Sequence, residues 1–326
     1  MPFAPETSYN ADGTRIVTNY TDSNARIWDA VSGKELMQLG GFTANTGAVQ
    51  PSYSPNGKLI AAGNGDNKIF VWDAQTGEQR TTLVGFEGWA RHIAFSPDGT
   101  RLASAKDNDG TKASKIVGTV TIWDLASAKA LLTMQVSPHG TTSVAYSPDG
   151  KYLITGDWDG NGIIWDANTG NKLFTLPNQS PVTAVSYSPD GKLTATGDVG
   201  GIVIIWNAMT GKKLLTLKGH NGWVNAVPFS PNGKLIATVA KDGTARVWDA
   251  TTGENLLTLL VDTQGLGGVS FSPNGKRLAV GGYSGIYVFI LPIDEVVELA
   301  KSRVTRSLTT EECQQYLHVE TCPTEP

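Results

Sequence analysis

A short turn phrase that returns at a nearly constant interval is the feature that most constrains the fold. Ser-Pro-Asp/Asn-Gly occurs six times, and a degenerate copy, NADG, precedes the first of them. The seven copies end at Gly13, Gly57, Gly99, Gly150, Gly191, Gly233 and Gly275. Successive glycines are 41 to 44 residues apart, except for one interval of 51. A period of this length indicates copies of one supersecondary unit that buries its apolar surface only against its neighbours. We therefore interpret most of the 326-residue chain as seven related units, one of which carries an insertion.

Each unit predicts four short antiparallel strands. An apolar run such as KLIAAG follows the turn, and then come a polar turn, a run that ends in Trp, and usually Asp-x-x-Thr/Ser-Gly. Gly supplies the positive φ that tight hairpins need, while Pro and Asp/Asn preset the turn before it. The aromatic ends are Trp28, Trp72, Trp123, Trp165, Trp206 and Trp248, with Phe289 in the seventh unit.

This pattern resembles the tryptophan-aspartate (WD) repeat family over about residues 3 to 291. The resemblance implies an all-β fold: a seven-bladed β-propeller of four-stranded antiparallel blades over residues 1–291. In such a fold the Trp of the third strand fills the space between adjacent blades. The innermost strand is a sheet edge at the central channel, so it tolerates proline, and Pro51 and Pro228 fall there.

WD repeats often carry a buried hydrogen-bond chain of His, Ser/Thr, Asp and Trp within one blade. Matched by position, the sixth unit has all four, and we expect a structural rather than a catalytic role for them: His220, Thr238, Asp242 and Trp248. Three other units have Asp at the matching place, namely Asp22, Asp66 and Asp159, while Val117, Gly200 and Tyr283 occupy it elsewhere.

The two ends of the chain suggest a longer protein. The first unit begins at its innermost strand, and no turn signal follows Phe289, so the outermost strand of the seventh blade is missing from the pattern. We expect preceding residues of a longer chain to supply that strand, since an open blade leaves an unpaired sheet edge.

Residues 292–326 predict a tail of two short helices packed on the propeller. Val296, Val297 and Ala300 share a helical face, and Thr309 stands three residues before Glu312, a capping-box spacing. The tail resembles the one that closes the WD-repeat regions of large bacterial regulatory proteins, including signalling NTPases of the STAND class. Cys313 and Cys322 lie in this tail, and a local disulfide and two free thiols remain open alternatives.

Charge and hydropathy argue against nucleic-acid and membrane partners. Lys and Arg total 26 against 30 Asp and Glu, and no run of like charges occurs. A nucleic-acid binder carries a basic footprint, and a membrane span needs about 20 apolar residues, whereas the apolar runs here are far shorter. Residues 1–10 lack the basic and apolar parts of a secretory signal, so we expect a cytoplasmic protein.

No catalytic or metal-binding pattern emerges, and we expect a protein without enzymatic activity, cofactor or metal. The four histidines are widely spaced, and neither a phosphate-binding loop nor a nucleophile elbow is present. DNDG at 107–110 and DWDGN at 157–161 faintly resemble calcium loops but lack the closing acidic residue.

Aromatic residues outside the repeat pattern predict a partner-binding rim. Trp89 and Trp223 stand where the chain enters the innermost strand, and Trp158 immediately precedes the Asp159 turn. Both positions belong to the side of the propeller that the family commonly uses for ligands. The predicted rim also includes Arg91, Asn225, Lys241 and Tyr283, and the insertion from Lys106 to Gly118 lies beside it. Trp, Tyr and Arg commonly anchor interfaces. The alternatives are that each Trp caps its own blade and that the insertion is a tolerated surface loop.

The sequence thus favours a non-enzymatic module that recognises a protein or peptide, as the C-terminal sensor of a larger bacterial signalling protein. A free-standing WD-repeat scaffold is the second hypothesis. The third is a small-molecule-binding or catalytic propeller that acts from the channel mouth, for which a carboxylate cluster or a metal site is needed, and the sequence shows neither.

Overall fold

In a computed structural model, the first 291 residues form seven antiparallel sheets arranged in chain order. The structure describes residues 6–19, 24–41, 48–64, 67–85, 89–107 and 117–291, with the backbone alone at 48, 49, 64 and 89. The predicted tail with Cys313 and Cys322, most of the insertion after Asp107, and Asp22 and Asp66 lie outside the described residues.

The first three blades contain twelve strands. Blade 1 consists of β1 (Thr7–Tyr9), β2 (Arg15–Asn19), β3 (Ala25–Asp29) and β4 (Glu35–Leu39). Blade 2 consists of β5 (Ala48–Tyr53), β6 (Leu59–Asn64), β7 (Ile69–Asp73) and β8 (Gln79–Leu83). Blade 3 consists of β9 (Trp89–Phe95), β10 (Arg101–Asp107), β11 (Gly118–Asp124) and β12 (Lys129–Ser137).

The next three blades repeat this order. Blade 4 consists of β13 (Thr141–Tyr146), β14 (Tyr152–Asp157), β15 (Asn161–Asp166) and β16 (Lys172–Pro177). Blade 5 consists of β17 (Val182–Tyr187), β18 (Leu193–Asp198), β19 (Ile202–Asn207) and β20 (Lys213–Lys218). Blade 6 consists of β21 (Val224–Ala226), β22 (Leu235–Ala240), β23 (Thr244–Asp249) and β24 (Asn255–Leu260).

Blade 7 has three strands among the described residues: β25 (Leu266–Phe271), β26 (Arg277–Gly282) and β27 (Gly285–Ile290). Its first strand, β25, contacts β21 of the preceding blade and β1 of the first blade. The innermost strands of all the other neighbouring blades are also in contact, so the seven sheets close into a ring. The predicted seven-bladed propeller is confirmed, with six four-stranded blades and a seventh of three described strands.

The repeated tryptophan fills the space between blades, as predicted. Trp72 of blade 2 packs with Val17, Ile27 and Leu39 of blade 1 and is 1% exposed. Trp123, Trp165, Trp206 and Trp248 are likewise buried against the blade that precedes their own. Burying a side chain of this size contributes about 2 to 3 kcal/mol, so the same residue stabilises successive interfaces.

A circuit of hydrogen bonds joins the innermost strands of neighbouring blades. At each of the seven interfaces, a side chain of one innermost strand reaches the neighbouring innermost strand. The bonds are Tyr53 N to Ser8 Oγ (3.3 Å), Ile93 N to Gln50 Oε1 (3.0 Å), Val144 N to His92 Nδ1 (3.4 Å), Thr142 Oγ1 to Val182 O (2.5 Å), Thr183 Oγ1 to Val224 O (2.5 Å), Asn225 Nδ2 to Leu266 O (2.6 Å) and Thr7 Oγ1 with Ser270 Oγ (3.3 Å). Polar side chains on these strands therefore hold the ring together.

The turn of blade 6 shows why the Ser-Pro-Asn-Gly phrase repeats. The Gly233 N–H donates to the Ser230 carbonyl at 2.8 Å, and Gly233 adopts a φ of 71°. Asn232 Oδ1 accepts the Ser230 hydroxyl at 2.8 Å and the Lys234 N–H at 3.0 Å. Ser230, Asn232 and Gly233 thus each have a role that few other residues fill.

Prolines occur on innermost strands, as expected for a sheet edge. Pro51 lies within β5, and the residue before it, Gln50, has a φ of 45°. Pro228 follows β21, which has only 3 residues. Its carbonyl still accepts the Ala237 N–H at 3.0 Å, so the ladder resumes beyond the proline.

Within the described part of the chain, no helix has the length and apolar character that a membrane crossing requires.

Candidate functional site

The turns between the second and third strands of each blade lie on one side of the ring, which we call the rim. Five side chains on the rim form a continuous set of contacts across blades 3, 4 and 6, and we call this set the aromatic row: Arg91, Asp107, Trp158, Trp223 and Lys241.

The first half of the row is built around Trp158, which directly follows β14. Its indole N–H donates to Asp107 Oδ1 at 2.8 Å. Arg91 of β9 donates from Nη1 to the other carboxylate oxygen at 2.5 Å, and its Cζ lies 5.0 Å from the centroid of the Trp158 ring. The Asp107 side chain is only 8% exposed, so a buried carboxylate anchors both the Arg91 guanidinium and the Trp158 indole.

The second half is built around Trp223, which immediately precedes β21. The ring centroids of Trp158 and Trp223 are 6.0 Å apart with an interplanar angle of 68°, an edge-to-face contact. The Lys241 N–H donates to the Trp223 carbonyl at 2.9 Å, and the Lys241 ammonium lies 3.6 Å from the Trp223 ring centroid. Aromatic contacts of this kind contribute about 0.5 to 1.5 kcal/mol each, so the row is held in place before any ligand arrives.

The contact between the two tryptophans bridges blades that are not neighbours. Trp158 belongs to blade 4 and Trp223 to blade 6. In blade 5 the matching positions hold Val199 and Pro181, and the turn continues with Gly200 and Gly201. Both indoles are half-buried. Because blade 5 carries smaller side chains at these two positions, the two indole rings contact each other on the rim. Part of each ring remains exposed to solvent.

Two carboxylates on rim turns, Asp159 and Asp262, accept hydrogen bonds from within the protein. Asp159 accepts bonds from Ser137 Oγ and His139 Nδ1, both at 2.5 Å. Asp262 accepts the N–H groups of Gln264 and Ser284. Lys241 is exposed, and among the described residues no carboxylate oxygen lies within 4.0 Å of its ammonium.

The remaining predicted rim residues are Asn225, Tyr283 and Trp89. The Asn225 amide donates to the Leu266 carbonyl and belongs to the inter-blade circuit. Tyr283 lies next to Gly265, where a Cβ atom would be 3.7 Å from Tyr283 Cε2 and 3.5 Å from Lys241 Cα. Trp89 begins β9, but its side chain lies outside the described residues, as does most of the insertion.

In blade 6 the four residues of the predicted chain are connected by hydrogen bonds. The Trp248 indole N–H donates to Thr238 Oγ1 at 2.8 Å, Thr238 Oγ1 lies 2.7 Å from His220 Nε2, and His220 Nδ1 lies 3.0 Å from Asp242 Oδ2. The carboxylate requires Nδ1 to carry the proton, so Nε2 accepts the threonine hydroxyl.

Burial and hydrogen bonding also determine the protonation states of His220 and Asp242. Burial lowers the pKa of His220, although the Asp242 carboxylate opposes that shift. Burial alone would raise the pKa of Asp242, but the N–H groups of Asn221 and Thr244 and the Thr244 hydroxyl bring it below its usual value. A neutral imidazole beside a carboxylate is therefore the stable arrangement, and both side chains are occupied in closing the turn.

Other blades satisfy the same turn with different residues. His220 lies nine positions before Phe229, the last aromatic residue of its innermost strand. By the same count, the equivalent residue is Ser137 in blade 4 and Asp262 in blade 7. Ser137 donates to Asp159, and Asp262 accepts the Ser284 N–H at 2.7 Å. Counting back from the Tyr or Phe of each unit would have identified both residues in the sequence.

The first aspartate of each stretch that faintly resembles a calcium loop makes contacts within the protein. Asp107 is the anchor of the aromatic row, and Asp157 Oδ1 accepts the Asn161 N–H at 2.7 Å within the repeat turn. Burial raises the pKa of Asp157. Within the described ranges, no group of three or more His, Cys, Asp or Glu side chains is placed to hold a metal ion.

Comparison with known proteins gives a family match in the repeats. The model described as "WD domain, G-beta repeat" matches more than half of the chain, at residues 34–73, 77–111, 131–166, 170–207 and 211–249.

Individual relatives match over shorter stretches. Retinoblastoma-binding-like protein E of Dictyostelium discoideum is 32% identical over 66 residues, which are 20% of this chain and 13% of that protein. An uncharacterized WD repeat-containing protein of Synechocystis, sll1491, is 38% identical over 64 residues, 20% of this chain and 16% of its own length. Small ribosomal subunit protein RACK1 of Caenorhabditis elegans is 34% identical over 64 residues, which are 19% of each protein. The chain thus spans less than a fifth of the length of each of these relatives.

Proposed function

Because the chain belongs to the WD domain, G-beta repeat family, we propose that it is a non-enzymatic recognition module that binds a protein or peptide on the aromatic row. The contact between Trp158 and Trp223 is the observation that carries this proposal. Two half-buried indoles from separate blades present one surface, and an adjoining cation stands at each side of it.

The energetics of interfaces support this choice of surface. Tryptophan and arginine are enriched among the residues that dominate binding energy, since they bury a large area. Arg91 and Trp158 are already fixed by Asp107, so little side-chain freedom remains to be lost when a partner binds. The row therefore has the preorganisation of a binding surface.

The alternative, that each tryptophan only caps its own blade, fits the contacts less well. The indole N–H of Trp158 is bound by Asp107 of blade 3, and its ring meets Arg91 of blade 3 and Trp223 of blade 6. None of these three partners belongs to blade 4, which contains Trp158. A cap for one blade does not require contacts with two others.

We further propose that the module is the C-terminal sensor of a larger bacterial signalling protein in the cytoplasm. This assignment is supported by the similarity of residues 292–326 to the tails of such regulators. It predicts that the native protein, isolated from its source cells with an antibody to the propeller, has a mass well above 34.6 kDa. A native mass equal to that of this chain would instead favour the free-standing scaffold.

A partner-capture experiment tests the proposed site. The immobilised protein is incubated with lysate of its source cells, and bound proteins are crosslinked and identified by mass spectrometry. We expect Trp158→Ala/Trp223→Ala to lose partners that the wild-type protein retains. A matched control, Leu131→Ala/Leu260→Ala, removes two side chains that are 53% and 71% exposed on outermost strands and should retain them. Equal capture by the tryptophan double variant and the wild type would refute the site.

A further inference from the structure

We propose that the aromatic row selects an acidic peptide segment, and that Lys241 is the residue that pairs with its carboxylate. This inference rests on the proposed function, since it names the chemistry of the ligand that the same surface receives. It predicts an Asp or Glu side chain of the ligand at the Lys241 ammonium, beside an apolar side chain packed on the indoles.

Lys241 is held against Trp223 by both its backbone and its side chain. Its backbone is tied to Trp223 by the bond to the Trp223 carbonyl, and its ammonium lies over the Trp223 ring. Gly222 and Gly265 flank it: a Cβ atom at Gly222 would lie 3.5 Å from Lys241 Cβ, and one at Gly265 would lie 3.4 Å from the Lys241 carbonyl oxygen. The backbone and Cβ of Lys241 thus lie against two glycines, and the contact with the Trp223 ring places its ammonium at one point of the rim.

The two cations of the aromatic row differ in how their charges are paired. Arg91, the cation at the other end of the row, pairs with Asp107, and Asp159 pairs with His139. Among the described residues, the Lys241 ammonium has the face of an indole beside it and no carboxylate within salt-bridge distance. An ammonium has three N–H donors, and a single ring face engages only one side of it. The group that this rim leaves room for is therefore an anionic acceptor.

The surroundings of the ammonium strengthen such a pair. Attraction between opposite charges increases when water is displaced around them, because the local dielectric constant falls. The Trp158 and Trp223 rings provide an apolar wall directly next to Lys241. A peptide that covers the indoles would remove water from the same place at which its carboxylate meets the ammonium. The row therefore favours acidic segments over neutral or basic ones.

Selection from a random peptide library tests this inference. Peptides displayed on phage are selected on the immobilised wild-type protein, and the enriched ones are synthesised with a fluorescent label. Their dissociation constants are measured by anisotropy for the wild type, Lys241→Met and Lys241→Glu. Lys234→Glu is the matched control, because it makes the same charge reversal at an exposed lysine of a Ser-Pro-Asn-Gly turn, at the opposite end of β22 from Lys241.

We expect the enriched peptides to be acidic. Lys241→Met should weaken their binding about tenfold, as expected when one hydrogen bond to a charged group is lost. Lys241→Glu should weaken it further, and Lys234→Glu should leave it within about twofold. Changing the ligand Asp or Glu to Asn or Gln should also cost about tenfold with the wild type, but less than about twofold with Lys241→Met, since the same contact is removed in both.

The outcomes separate this inference from the proposed function. Neutral or basic peptides that require Trp158 and Trp223, or acidic peptides that bind Lys241→Met as tightly as the wild type, would overturn the role of Lys241 and leave the site standing. Enrichment of no peptide would overturn the assignment to a linear acidic segment, while partner capture still decides whether the row is used. Peptides that bind Trp158→Ala/Trp223→Ala as well as the wild type would overturn the site and this inference together.

Discussion

Replacing Thr238 with valine tests the hydrogen-bond chain of blade 6 against a control that the repeat itself provides. Thr238 is fully buried, and its hydroxyl joins the indole N–H of Trp248 to the imidazole of His220. Thr155 occupies the same place in blade 4 and is equally buried, but there the hydroxyl accepts the Trp165 N–H alone among the described hydrogen bonds. The same substitution therefore removes two bonds in one blade and one in the other.

The expected loss of stability depends on how many buried polar groups each substitution leaves without a hydrogen-bond partner. A buried polar group that loses its hydrogen bond costs about 1 to 3 kcal/mol. Thr155→Val leaves one indole N–H, so we expect a loss of about 2 kcal/mol. Thr238→Val leaves an indole N–H and an imidazole nitrogen, so we expect about 4 kcal/mol, a difference of about 2 kcal/mol between the variants.

Equilibrium unfolding in urea, followed by far-ultraviolet circular dichroism, measures both losses relative to the wild type. Valine is the suitable replacement at both positions, because threonine and valine have nearly the same shape and differ mainly in the hydroxyl. If the two free energies of unfolding fell by the same amount, within about 0.5 kcal/mol, the second bond of Thr238 would contribute nothing, and the reasoning would be refuted.

Three further predictions concern charge, pH and backbone conformation. Asp107→Asn removes the charge that Arg91 pairs with, and because the Arg91 side chain is 33% exposed we expect a loss of about 1 kcal/mol that shrinks at high salt, measured by urea unfolding. Burial, together with the nearby Arg91 charge, lowers the pKa of His92 from 6.5 to about 3. As the pH falls, the unfolded chain therefore takes up a proton on His92 before the folded protein does. The free energy of unfolding should decrease below pH 6.5, by at most about 1.4 kcal/mol per pH unit. His92→Gln should flatten this dependence in unfolding curves recorded across that range. Gly243→Ala would place a Cβ atom 2.2 Å from a backbone oxygen at a φ of 78°, whereas Gly33→Ala has a φ of 69° and open space. We expect Gly33→Ala to cost about 1 kcal/mol and Gly243→Ala clearly more in the same assay, and equal losses would contradict the packing argument.

The fold could be predicted from the sequence because its determinants are local and repeated. Each Ser-Pro-Asp/Asn-Gly phrase closes one hairpin by bonds within five residues, and the third-strand Trp of blades 2 to 6 has equivalent surroundings in each of them. Even the exceptions followed from local rules: Pro51 lies within an innermost strand and Pro228 follows one, and at such a sheet edge a missing N–H costs little.

The composition of the aromatic row was only partly predictable, because its contacts join distant parts of the chain. Asp107 and Trp158 are 51 residues apart and lie in different blades, and no periodicity connects them. The edge-to-face contact of Trp158 with Trp223 depends on the small side chains that blade 5 places between them. Asn225, which the pattern assigned to the rim, donates its amide N–H to the Leu266 carbonyl of the neighbouring innermost strand, a contact that the repeat pattern does not encode. Such pairings depend on where the ring brings blades together, which a single repeat does not encode.

The central claim is that Trp158 and Trp223 form one contact surface for a ligand, and their indole N–H signals test it most directly. The protein has nine tryptophans, so a nitrogen-15 spectrum contains nine indole signals, which single Trp→Phe variants assign. On titration with a captured partner, we predict shifts of the Trp158 and Trp223 signals, while the buried signals of Trp72, Trp165 and Trp206 stay in place. Saturation with the partner that leaves both rim signals unmoved would contradict the account.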